Sequence, residues 1–94
     1  MSEPTRFFRF DQVDEAESYA EQGGIAILEI RDGWRILGRR RLLTGWAMER
    51  GFGRQQLQLP TVTGVWHIDL VGELAVQVGL EYGIGVADVD AAGV

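Results

Sequence analysis

From Leu74 onward every second residue is apolar: Leu74, Val76, Val78, Leu80, Tyr82, Ile84 and Val86 alternate with Ala75, Gln77, Gly79, Glu81, Gly83, Gly85 and Ala87. A period of two is the signature of a half-buried strand. Ile68, Val71, Leu74, Val78 and Tyr82 also recur at helix-like spacing, so the two readings are decided on energy. Gly72, Gly79, Gly83 and Gly85 would each cost roughly 1 kcal/mol relative to Ala inside a helix, more than one apolar stripe recovers. The pattern therefore predicts a strand. The preceding run, Val65 to Leu70, alternates as well, with Trp66, Ile68 and Leu70 on one face and His67 and Asp69 on the other. A loop of Val71, Gly72 and Glu73 sets Leu70 opposite Leu74, Ile68 opposite Val76 and Trp66 opposite Val78, which predicts a long C-terminal β-hairpin over residues 65–86.

Upstream, Arg6 to Phe10 is short and aromatic-rich, a strand. Asp11 reads as an N-cap, and Asp14 and Glu15 fall in the first turn, where the helix dipole favours acids. Val13, Ala16, Tyr19 and Ala20 complete an apolar stripe, and Gly23-Gly24 ends it, giving one N-terminal helix over residues 12–22. Ile25 to Ile30 is nearly continuous in apolar residues, as in a strand covered on both faces. Asp32-Gly33 then signals a type I′ turn into a return strand, Trp34 to Arg39. Arg40 to Arg50 reads either as a short helix stopped by Gly51 or as a hairpin turning at Thr44-Gly45; Gly45 in mid-segment favours the hairpin or an irregular loop. Gln55 to Leu59 alternates briefly before Pro60, an edge strand at best. Both termini read as frayed tails. The expected fold is α+β and predominantly β: an antiparallel sheet, one helix and the long hairpin, in a single domain spanning residues 1–94.

The chain has 94 residues and no Cys. That excludes thiol catalysis, thiolate metal sites and disulfides, and it favours a reducing compartment. No apolar run approaches the roughly 20 residues of a membrane helix, and the N-terminus lacks the regions of a signal peptide. The expected location is cytoplasmic, away from membranes. All nine basic residues are Arg, and none lies beyond Arg54. Nine acids balance them in residues 1–54, so the net charge of −5 resides on Asp69, Glu73, Glu81, Asp88 and Asp90. This polarity suits head-to-tail pairing between the Arg-bearing half of one copy and the acidic half of the next, in a homo-oligomer.

Arg39, Arg40 and Arg41 form the densest cationic cluster, and Trp34, Trp46 and Phe52 are interleaved around it. Cationic forks beside aromatic faces hold phosphates and stack bases. An acidic chain with pI near 4.7 is far from the footprint of a dedicated nucleic-acid binder. His67 and Asp69 share a strand face and could act as a base with its orienting carboxylate, or sit beside a ligand. No second His or Cys completes a metal set, and no cofactor motif is present, so neither a metal nor a cofactor is expected. The leading expectation is a non-enzymatic interaction or assembly module, such as a small subunit of a larger complex or a phage-type structural or inhibitor protein. Its contacts would be made by Val78, Leu80 and Tyr82 on the hairpin and by Arg39, Arg40, Arg41 and Trp46. A nucleic-acid binder using the Arg/Trp patch is one alternative. A small dimeric ligand-binding or enzymatic domain with His67 near its ligand is the other.

Overall fold

Residues 5–52 and 57–85 are described by the computed structural model. Strand β1 (Thr5–Phe8) leads through helix α1 (Val13–Glu21) to β2 (Ile25–Ile30), and a tight turn returns the chain along β3 (Gly33–Gly38). Helix α2 (Arg40–Glu49), strand β4 (Trp66–Val71) and helix α3 (Glu73–Tyr82) follow. The sheet order is β1-β2-β3-β4, with β1 parallel to β2 and the other two pairs antiparallel.

Burial on both faces of the sheet explains the apolar run of β2. Ile25 and Ile27 join a core that takes in Trp34, Ile36, Leu43, Trp46, Ile68 and Val78, under α2 and α3. Ala26 and Leu28 point the other way, into a smaller core with Phe8, Leu37, Val65, Ala16 and Ala20 beneath α1. Ala16 and Ala20 are fully buried, and their lack of bulk lets α1 lie close on the sheet. The sheet is thus sandwiched, with one helix on one face and two on the other.

Three expectations fail here. The sheet is mixed instead of antiparallel, because α1 carries the chain back so that β1 and β2 run parallel. The hairpin over residues 65–86 is absent among the described residues: its first arm is β4, which pairs with β3 instead, and its second arm is α3. Four glycines weighed against that helix, yet only Gly79 lies inside it. Gly72 precedes it at φ 63, and Gly83 ends it at φ 69. The amide of Ile84 donates to Gly79 O at 2.9 Å, the closure typical of a glycine-terminated helix. A penalty of about 1 kcal/mol therefore applies once and is outweighed by Leu74, Ala75, Val78 and Tyr82 packing on the core.

The third concerns Arg40 to Gly53, where Gly45 favours a hairpin or loop over the alternative of a short helix, and the helix is what forms. Leu43, Trp46 and Ala47 recur at helical spacing and are buried, whereas Gly45 sits on the exposed side and displaces no packing. The chain accordingly has three helices among its described residues. The Asp32-Gly33 hairpin forms, but Ile30 pairs with Gly33, which makes Arg31 and Asp32 the turn residues, and neither has positive φ. Gly33 is required for another reason: a Cβ there would lie 2.0 Å from the carbonyl oxygen of Leu70. Helix α1 starts after Gln12 rather than Asp11, and Gln12 Oε1 accepts the Arg9 amide at 2.9 Å. The proposed edge strand at Gln55 to Leu59 falls partly outside the described residues, and Leu57 to Leu59 carry no strand. Both expected tails lie largely outside them too.

Candidate functional site

The two outer strands differ in how their free sides are treated. At the start of β4, the preceding segment bonds the outer backbone: Gln58 N donates to His67 O at 2.9 Å, and Thr61 N donates to Val65 O, just before the strand, at 2.6 Å. Pro60 lies within that segment and has no amide to offer onward. No described segment pairs with the outer side of β1. Half of its peptide groups therefore face away from β2, with no backbone partner among the described residues.

Beside that free edge lies a groove of about 420 Å³ between β1 and α1. Strand alternation sends Arg6 and Phe8 to the α1 side, while the spacing of Asp14, Ser18 and Gln22 places these residues on one flank of the helix. The Phe8 and Tyr19 rings form the floor, with centroids 5.7 Å apart. Arg6 lies over both, its guanidinium carbon 5.1 Å from the Phe8 centroid and 5.2 Å from that of Tyr19. On the opposite face of β1, Phe7 is partly exposed and packs edge-on against Trp34.

The residues predicted to bear function are placed as follows. Val78 is buried in the main core, and Tyr82 Oη accepts hydrogen bonds from Trp46 Nε1 at 3.0 Å and from Arg50. Of the three hairpin contacts, only Leu80 is exposed, at 79%. Trp46 is itself buried, with the Arg50 guanidinium 4.0 Å from its ring centroid. Arg50 also pairs with Glu81, so this cluster ties α2 to α3. Arg39 donates to Glu21 O at 3.2 Å, and Arg40 stacks on Trp66 at 4.9 Å. Arg41 is exposed at the start of α2. Trp34 and Phe52, the other rings expected to stack bases, are core residues.

His67 and Asp69 do share a face of β4, but they do not form a dyad. Both Asp69 oxygens accept from Arg35 on β3, at 2.7 and 3.0 Å. Those bonds hold the Asp69 carboxyl below the usual carboxylate range and raise Arg35. His67 Nδ1 is buried without a hydrogen-bond partner. Burial, reinforced by the charge of Arg35 and opposed by Asp69, pushes the imidazole below its usual range. Among the described residues, no three His, Asp or Glu side chains gather as metal ligands, and no helix is long and apolar enough to cross a membrane.

Sequence reasoning missed the β1–α1 groove, although its residues carried a signal in the four-residue spacing of Asp14, Ser18 and Gln22 beside the alternating Arg6 and Phe8. What was lacking was the strand order that leaves β1 outermost. The chain matches no family model, no curated protein and no solved structure.

Proposed function

We propose that this chain is a non-enzymatic interaction module that takes up an extended segment of another protein along the open edge of β1. The observation that carries this reading is the coincidence of a strand edge that no described residue pairs with and a helix-walled groove. Backbone groups of an added strand would bond to β1, and alternate side chains would enter the groove; main-chain bonds supply affinity and the groove supplies selectivity. At four residues, β1 is short and carries Arg6, features that discourage indiscriminate edge pairing. Phe7 on the far face gives the other set of side chains an apolar contact.

A displayed library of linear peptides, selected on the full chain, tests this reading. Ser18 is exposed on the groove wall, so Ser18→Trp fills the groove without touching the core. Selected peptides are expected to lose binding to Ser18→Trp. Peptides that bind Ser18→Trp as well as the parent chain would contradict the proposal.

A further inference from the structure

We propose that the segment taken up at the β1 edge is basic, with Lys or Arg at alternate positions facing α1; this rests on the reading of β1 as a docking edge. Because β1 and β2 are parallel, the helix that joins them runs opposite to both. The first turn of α1, with Asp14 and Glu15, therefore lies toward the Phe8 end of the groove, and Gln22 lies toward the Arg6 end. Asp14 and Glu15 are exposed and form no ion pair with any described residue. Arg6, the cation lining the same groove, is stacked on the Phe8 and Tyr19 rings.

With one cation, Arg6, against two acids, Asp14 and Glu15, the described lining of the groove is negative by one charge, and the exposed Asp11 and Glu21 add that sign along α1 and its approach. Exposed acids beside the edge steer a cationic segment toward it. Aromatic rings suit the same side chains at close range, because Lys and Arg lay their aliphatic stems on apolar surface and their charge over ring faces. Successive residues on one strand face are about 7 Å apart. Every second residue of the segment thus meets the groove, and the intervening ones meet the side of β1 that bears Phe7.

Two short synthetic peptides test the inference, one alternating valine with lysine and the other valine with glutamate. Binding is read by fluorescence anisotropy on the full chain at low and moderate salt. The lysine peptide is expected to bind about tenfold more tightly. The doubly reversed variant Asp14→Lys/Glu15→Lys abolishes or inverts that preference. Glu73→Lys, which changes charge on α3 on the other side of the sheet, leaves the preference in place. Equal binding of both peptides with loss of both in Ser18→Trp overturns the basic preference while the edge reading stands. A lysine preference unmoved by Asp14→Lys/Glu15→Lys also overturns it. If neither peptide binds, or if both bind Ser18→Trp normally, the edge reading fails and this inference fails with it.

Discussion

The strands at the two ends of the sheet, β1 and β4, meet the same physical problem in different ways. Each has one neighbour, so each would leave peptide groups unpaired on its outer side. At β4 the chain uses its own residues: Gln58 donates to His67 in the strand, Thr61 donates to Val65 just before it, and Pro60 lies between these two donors. At β1 no described residue does this, and a groove lies between the strand and α1. The difference in side chains follows the difference in cover. The sheet face of β4 toward α1 carries a matched, partly exposed pair, Arg35 and Asp69, whereas Asp14 and Glu15 in the groove beside β1 pair with no described cation. One edge is partly covered by its own chain, and the other is covered by no described residue.

The largest expected effect comes from the β4 side. Ile68 on β4 is fully buried between β3 and the helices, and Ile68→Ala should lower stability by about 2–5 kcal/mol in urea denaturation. Ser18→Trp should change stability by less than about 0.5 kcal/mol while removing binding of a selected peptide, which separates the edge from the core. Equal destabilisation by the two variants would make β1 as integral to the fold as β4. Arg35→Ala removes an ion pair whose side chains are both more than a third exposed; after allowance for solvent screening it should cost at most about 1 kcal/mol and leave peptide binding unchanged.

The smallest effect is a pH dependence confined to the β4 side. His67 has its pKa lowered by burial, so below its ordinary value of about 6.5 the unfolded chain takes up a proton before the folded one does. Stability should therefore fall as pH drops below about 6.5, and His67→Gln should flatten that slope in thermal melts. Asp69, with its pKa depressed by Arg35, contributes stability above the ordinary carboxylate value, near pH 4, and that contribution is lost as pH falls further through its folded value.

The sequence was informative wherever one period stood alone. The continuous run of β2, the turn into β3 and the alternation of Val65 to Leu70 carry through to strands, because burial on one or both faces dictates those patterns. Over Leu74 to Tyr82 two periods overlap: alternation marks 74, 76, 78, 80 and 82, while 74, 78 and 82 also suit a helix. Glycine decided the matter wrongly because its cost depends on position, and Gly72 and Gly83 sit at helix ends where positive φ is an asset. Gly45 misled in the same way, since an exposed mid-helix glycine costs about 1 kcal/mol and the burial of Leu43, Trp46 and Ala47 exceeds it. The groove was hidden for a different reason. Which strand lies outermost is a property of the sheet order, and no local pattern in Arg6 to Phe10 encodes it.

Hydrogen exchange on the full chain, with and without a peptide selected from the displayed library, is the most direct measurement. The open edge predicts that amides within Thr5–Phe8 exchange more slowly once peptide is bound, with β4 amides unchanged. Protection appearing on β4 or α3, with β1 unaffected, would contradict it.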